Sequence, residues 1–527
     1  MEQALPAFGL HFDADALQRA VPAMTAEPLR DSAVRFAGRL RALAADLAES
    51  DIDAALRLAE AYGSFLAHNF VGIPADSALE QQLALRLTSS LKAKTGDKLG
   101  VTAHLVTTAY PWGGHTRVVE RLLAAGLGDG LIVLDPLPKA LLERFPKDKP
   151  VIQLGRESSG ALLVARIVEA GLRFDNIILH IHPEDIYSAS AAILLAKAGK
   201  RIHFYNHADH AFSFGYSSAE NVFEIGKYGW LRGSARGIER RQSFAGIPIP
   251  ALSLLPKPSS NVSRFVFAGS PSKFIPFLEY SVPEFINQLA QTFHDRVAIT
   301  VIGPGGRESH WAALTPAARR LVTFTPTLSH GAYLDLLSRH NAYIDSFPKP
   351  NATGLAEVVA AGMPAFGLDL MAGYSYSDTL RSHSVPDLTA AVAAYSTDRA
   401  SGRFEFEEIR QQVIREQSAG ACAQRISQVI ADKSPVPLPA EFFGMNCRED
   451  FHERFWLSIG KVNLDFECLV RLGASDLRAI AGAMGDFRHY CSSPELARSA
   501  AKVLLGESGR SSYRRMSRVL TLGRRQG

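Results

Sequence analysis

Residues 342–368 read AYIDSFPKPNATGLAEVVAAGMPAFGL. A short apolar run at Ala342 to Ile344 reads as a strand, and a proline-rich loop follows it. Asn351-Ala352-Thr353-Gly354 then opens a helix that carries Glu357 in its first turn and closes at Gly362-Met363-Pro364, ahead of a further apolar run. A strand, a loop, a helix and a strand in this order make one crossover unit of a parallel sheet. Free N–H groups at such a helix start suit a diphosphate, and a carboxylate one turn in can accept hydrogen bonds from ribose hydroxyls. An acid at that position is also ordinary compensation of the helix dipole.

The same alternation extends upstream. SRFVFAG, RVAITVIG, RLVTFTP, HNAYIDSF and GMPAFGL are strand candidates separated by helical segments. Before them LLPKPSSNVSR, rich in proline and serine, reads as a linker. A first alternation precedes it from Lys98 to about residue 256, with LGVTAHLVTTA, GLIVLD, KPVIQLG, FDNIILHIH and KRIHFYN as strands and SSGALLVARIVEAGL and SASAAILLAKAG as crossover helices. The fold class is therefore α/β, with two Rossmann-like doubly wound domains whose strand ends face a common cleft. From Asp31 to Leu91 the apolar residues recur at helical spacing, as they do in ECLVRL, DLRAIAGAM and ELARSAAKVLL near the other end. The expected organisation is a helical module at 1–97, an N-terminal Rossmann-like domain at 98–256, a C-terminal one at 262–432 and a helical region at 433–527.

The composition agrees with several packed cores: 527 residues, 47% apolar and 21% charged. Lys and Arg total 57 against 53 acids, a net charge of +4 that gives no electrostatic case for a nucleic-acid partner. The four cysteines, Cys422, Cys447, Cys468 and Cys491, form no C-x-x-C pair and no zinc spacing, and scattered thiols fit a reducing cytoplasm. The N-terminal residues lack a charged segment followed by an apolar one, and no run approaches a membrane span, so a cytoplasmic protein is expected. Only the tail, SSYRRMSRVLTLGRRQG, is locally basic. A solvated end is its plain reading, and a weak membrane or partner contact is the other.

Four loops at strand ends carry candidate chemistry. TAYPWGGHTRVVERLL (108–123) has a Gly113-Gly114 turn before a helix, with His115 and Arg117 just beyond it. FYNHADHAFSFG (204–215) crowds His207, Asp209 and His210, and LHIHPED brings His180, His182, Glu184 and Asp185 to the neighbouring strand end. These could ligate a metal, or form a general base whose imidazole a carboxylate orients. FAGSPSKFIPF (267–277) offers Gly269, Ser270 and the cation Lys273 to a phosphate, although its spacing is not that of a Walker loop. The fourth loop is the one quoted at the outset.

That fourth loop resembles the donor-binding element of two-Rossmann (GT-B) glycosyltransferases: Glu357 and Gly362-Met363-Pro364 match its acid and its Gly-x-Pro. DSFPKPNATG is most similar to the loop of O-GlcNAc transferases and adhesin N-glucosyltransferases, and Lys273 sits where those enzymes place a lysine on the donor diphosphate. The Gly113-Gly114 turn is similar to an acceptor-side loop. The likeness covers about residues 98–390. Lys349 stands where retaining members carry a second Glu, which favours inversion, and no tetratricopeptide array accompanies the chain.

The resemblance implies a glycosyltransferase that moves a sugar from a nucleotide diphosphate sugar, with a UDP-sugar as expected donor; the acceptor, protein or glycan, is unknown, and without the tetratricopeptide array a protein acceptor is not carried over. No cofactor or metal is expected. Gly269, Ser270, Lys273, His330, Asn351, Thr353, Gly354 and Glu357 would bind the donor. His115 or the His207/Asp209 pair would act as base, and Gly113, Gly114 and Arg117 would lie on the acceptor side. The alternatives are a nucleotide-sugar epimerase or phosphorylase of the same fold and a non-catalytic scaffold.

Overall fold

A computed structural model describes residues 26–88, 96–110, 114–256 apart from 156 and 158, 262–397, 406–445 and 448–458. Gly113, the centre of the linker, Cys447, Cys468, Cys491 and the basic tail lie outside the described residues, as does most of the expected C-terminal helical region.

Two parallel sheets organise the chain. The first contains β1 (Thr102–Val106), β2 (Gly130–Val133), β3 (Val151–Gln153), β4 (Asn176–His180), β5 (Arg201–Asn206), β6 (Asn221–Glu224) and β7 (Gln242–Phe244), in the order β3-β2-β1-β4-β5-β6-β7. The second contains β8 (Ser263–Ala268), β9 (Val297–Ile302), β10 (Val322–Thr325), β11 (Ala342–Ile344), β12 (Ala365–Leu368) and β13 (Arg381–Ser382), in the order β10-β9-β8-β11-β12-β13. The strand order reverses between β1 and β4 and again between β8 and β11, which leaves a crevice beyond the carboxyl ends of those strands. The inner strands are short and apolar because both faces are covered; Ile177, Ile178 and Leu179 of β4 are fully buried.

The helices used below are α1 (Ala26–Leu47), α2 (Ile52–His68), α3 (Ser77–Thr88), α4 (Gly114–Ala124), α5 (Gly160–Gly171), α6 (Ile186–Lys197), α7 (Val282–Phe293), α8 (His330–Leu337), α9 (Ala352–Ala360), α10 (Val385–Thr397), α11 (Phe406–Gln417), α12 (Ala419–Asp432) and α13 (Glu449–Ser458). Side-chain oxygens supply several of the caps: Asp51 accepts from Ala54 N, Ser159 from Leu162 N and Asp185 from Ser188 N.

The N-terminal helices share a core with the first sheet. Phe36, Tyr62 and Phe65 pack in one cluster with Leu163, Ile167, Phe212 and Phe214, and each such buried aromatic contributes roughly 2 kcal/mol. Glu80 of α3 completes the join. Fully buried, it accepts a hydrogen bond from Gly215 N (3.1 Å) and another from the Ser217 hydroxyl, and burial pushes its carboxyl up to about 7.

Residues 419–432, read from sequence as the end of the second domain, pack on the first. Cys422, Ile426 and Val429 of α12 are buried with Tyr205, Phe223 and Ile225, and Arg201 Nη1 donates to Ile430 O (2.7 Å). Between α11 and α12 the helix breaks at Ser418, which caps α12 by accepting from Ala421 N. This break lets the chain cross between the halves. The last described helix bridges them: Phe451 and Phe455 of α13 lie against Phe277 below the second sheet, and His452 stacks on Tyr228 of the first half at 3.9 Å.

Candidate active site

A cavity of about 660 Å³ opens between the two sheets. Gly114, His115 and Arg117 line it from the start of α4, and His207 and Asp209 from the turn after β5. Gly269, Ser270 and Lys273 line it from the loop after β8, His330 from α8, and Asn351, Thr353, Gly354 and Glu357 from the start of α9. Of the fourteen residues given a donor, base or acceptor-side role from the sequence, thirteen meet in this one space, and the other, Gly113, lies outside the described residues; His210 joins them, whereas His180, His182, Glu184 and Asp185 do not line the cavity.

The second half supplies a cation to the cavity lining. Lys273 Nζ donates to Pro350 O (2.8 Å) and Asn351 Oδ1 (3.3 Å), and among the described residues no carboxylate bonds it. Burial lowers its ammonium to about 8, against the pull of Asp345. The loop that carries it needs Gly303 beside it. That residue sits at φ +110°, and a Cβ there would lie 1.9 Å from Gly269 O. The N-terminus of α9 faces the same space, with Asn351 as its cap residue. The starts of α4 and α9 approach closely, since a Cβ on Gly114 would come within 3.8 Å of Thr353 Oγ1.

Asp345, at the end of β11, fixes the loop before α9. It accepts from Ser346 N (2.9 Å) and Asn351 N (3.0 and 3.1 Å) and pairs with Arg381 Nη2 (2.7 Å). Its partner Arg381 also holds Asp378 at 2.6 Å, and all three side chains are at most 1% exposed.

Two placements differ from the sequence reading. Glu357 falls in the second turn of α9, because the helix starts at Ala352. Its carboxylate is taken by Arg121 Nη2 of α4 at 2.5 Å, with Arg117 Nη1 at 3.9 Å, so this acid ties the two halves across the cleft. The His207/Asp209 pair does not form. As the chain turns after β5 the two side chains diverge: the His207 ring folds back onto His180 (Nε2 to Nδ1, 2.8 Å), whereas Asp209 accepts from Gly229 N and Tyr374 OH, both at 3.2 Å. Burial holds the Asp209 carboxyl up at about 6. Among the described residues, no group of three or more His, Cys, Asp or Glu side chains is arranged to hold a metal ion.

Four further cavity residues carry no sequence motif. Tyr333 of α8 and Tyr374 are two of them. His452 and Trp456 of α13 are the others; Trp456 stacks on His210 at 4.3 Å, and Lys349 Nζ lies 4.3 Å from its ring centre. An aromatic pair four residues apart on a helix is usually core, and only the crossing of α13 over the cleft brings these two to the cavity.

The imidazoles give the protein an acid-labile window. Burial is the largest cause holding nine histidines, among them His104, His115, His180, His207 and His210, below their usual 6.5. Burial also raises four carboxyls, on Glu80, Glu120, Asp209 and Glu224. The depressed histidines favour unfolding as pH falls below 6.5, because the unfolded chain then binds protons that the folded one refuses. The raised carboxyls act oppositely, adding stability as pH falls through their raised values, about 7 for Glu80 and Glu224 and about 6 for Asp209, and they are outnumbered. Urea midpoints measured from pH 7 to 4.5 are expected to fall; a midpoint that rises on acidification contradicts this balance.

No protein-family model matches the chain, and no curated protein sequence does. Solved structures do match. Alr3699/HepE of Anabaena in complex with UDP is 14% identical over 63% of this chain and 100% of that one, at a TM-score of 0.50. The lipopolysaccharide outer core galactosyltransferase WaaB is 16% identical over 63% and 99%, at 0.47, and the Thermobaculum terrenum O-GlcNAc transferase 13% over 85% and 87%, at 0.45. At these identities the likeness is one of fold. The chain has the two-Rossmann GT-B fold, and its cavity lies in the crevice between the two sheets of that fold. No helix among the described residues is long and apolar enough to cross a membrane.

Proposed function

We propose that the chain is a glycosyltransferase that moves a hexosyl group from a UDP-sugar to a hydroxyl of a protein or glycan acceptor, with inversion and without a metal ion. One observation carries the reading: a half-buried lysine that no carboxylate bonds among the described residues, beside a helix N-terminus, faces two neutral imidazoles across a cleft. Sugar transfer needs negative charge stabilised on the leaving diphosphate and a base on the incoming hydroxyl. Lys273 and the N–H groups of α9 meet the first need, and His115 and His207 the second. UDP is the chosen nucleotide because the Anabaena fold neighbour was crystallised with it.

Glu357 has a smaller role here than a free ribose ligand would have. Arg121 occupies one of its oxygens, and a ribose hydroxyl would share the other with Arg117. Lys349 over Trp456 holds a cation where retaining enzymes of this resemblance carry a carboxylate, which favours inversion.

Titration calorimetry with UDP, GDP, ADP and CMP tests the donor site, and UDP is expected to bind best. UDP-sugars incubated without acceptor should then hydrolyse slowly to UDP and free sugar. Conversion to an epimer instead would move the chain to another class, and no binding of any nucleotide would leave only a scaffold.

A further inference from the structure

Three histidines run in a line from the core of the first sheet to the cleft. His104 is in the middle of β1, His180 ends β4 and His207 follows β5. Parallel pairing sets His104 opposite Ile178, two residues before His180, so both imidazoles project from the same face. The rings are joined end to end: His104 Nδ1 to His180 Nε2 at 2.8 Å, and His180 Nδ1 to His207 Nε2 at 2.8 Å. The inner end of the line is fixed, since His104 Nε2 lies 2.9 Å from Leu127 O. Gly128 makes this approach possible: it sits at φ +98°, and a Cβ there would be 2.6 Å from His104 Nε2.

A carbonyl oxygen only accepts, so His104 must carry its proton on Nε2. Its Nδ1 is then bare and accepts from His180 Nε2–H; His180 Nδ1 is bare in turn and accepts from His207 Nε2–H. This direction runs through all three neutral rings and leaves Nδ1 of His207 unprotonated. Among the described residues that nitrogen takes no hydrogen bond, and His207 lines the cavity.

We propose that His104 and His180 are positioning residues that lock His207 in its Nε2–H tautomer, so that Nδ1 of His207 is the base for the acceptor hydroxyl. This rests on the transferase reading. As the acceptor oxygen bonds to the anomeric carbon, the bond from that carbon to the diphosphate breaks and its electron pair leaves with UDP. The hydroxyl proton passes to Nδ1 of His207. The resulting imidazolium donates more strongly through Nε2–H to His180, and the charge is shared along the line towards the Leu127 carbonyl. The proton returns to water from His207 once UDP leaves.

His115 is the competing base. It lies with its ring centre 4.4 Å from that of His207, and its Nε2 donates to His180 O at 2.7 Å, which also bares its Nδ1. A peptide carbonyl can stabilise a proton on His115 but cannot take it over, so the charge stays on one ring. The line behind His207 offers two more rings.

The tautomers are read directly on the full chain labelled with 15N-histidine, from ring nitrogen shifts at pH 7.5, the three rings being assigned by single substitutions. His104, His180 and His207 are expected to show a bare Nδ1; a His207 protonated at Nδ1 overturns the proposal. Kinetics test the consequence. His180→Phe should keep UDP affinity and lose turnover of a UDP-sugar on the order of 10²-fold. His104→Leu should lose turnover in the same direction, and His104→Gln should restore it, because its amide can donate to Leu127 O and accept from His180. Unchanged turnover in His180→Phe with UDP binding intact overturns the proposal as well. If the unaltered protein turns over no UDP-sugar, the transferase reading fails while the ring shifts still decide the direction of the line.

Discussion

Replacing Lys273 with alanine is expected to abolish donor turnover with the fold intact. Loss of one preorganised donor to the leaving diphosphate costs on the order of 10²–10³ in kcat, and the ground-state contact with UDP is worth on the order of 10-fold or more in affinity. The protein itself should tolerate the change. The partners of Nζ are a backbone carbonyl and an amide oxygen at the edge of the cavity, where water can replace the ammonium. Thermal unfolding should therefore shift little. Unchanged turnover with Lys273→Ala sinks the donor-site assignment.

The depressed ammonium adds a pH signature. In the free protein Lys273 is charged below about 8 and neutral above it. A bound diphosphate favours the charged form, so binding above that pH must take up a proton. UDP affinity is then expected to fall by up to about tenfold per pH unit above 8, until the ammonium of the complex itself titrates. Lys273→Ala should bind UDP weakly and with a flat profile over the same range. A flat profile in the unaltered protein means that the cation reads the diphosphate from too far away to matter.

What the sequence could show of this cleft followed from period and punctuation. Ten strands announced themselves as short apolar runs, because buried parallel strands have little else to be. Strands β6 (NVFE), β7 (QSF) and β13 (RS) did not, being short and polar; what makes them strands is a pairing neighbour. The candidate site was legible for a topological reason. Ligands of doubly wound sheets bind beyond the carboxyl ends of strands, so residues in those loops had to converge if the two sheets faced each other. Side-chain direction was not legible. Nothing in NHADH tells that His207 turns to His180 and Asp209 to Tyr374, because that choice is made by partners 27 and 165 residues away. His104 was hidden for a similar reason: in TAHLV it is one polar residue in a buried strand, and only the placing of β4 beside β1 gives it a partner. The crossing of α12 and α13 back to the first half also depends on tertiary contacts that helical spacing does not encode.

The loop that decided the fold rests on a buried ion network, and breaking it should have the largest effect on stability. Arg381→Met is expected to cost about 3–5 kcal/mol, because it leaves Asp345 and Asp378 as buried carboxylates without their cation. For a chain of this size that is a loss of roughly 3–5 °C in Tm. UDP affinity should fall with it. Asp345 accepts from Asn351 N at the start of α9 and stands beside Lys273, so an Asp345 displaced from its place releases the donor loop. Adding Asp345→Asn to Arg381→Met removes one of the stranded charges while keeping the shape, and the double variant should recover part of the lost stability. The two losses are therefore expected to be clearly less than additive. Strict additivity in urea midpoints would show that Arg381 and Asp345 act independently, and that the donor loop is held by something other than this pair.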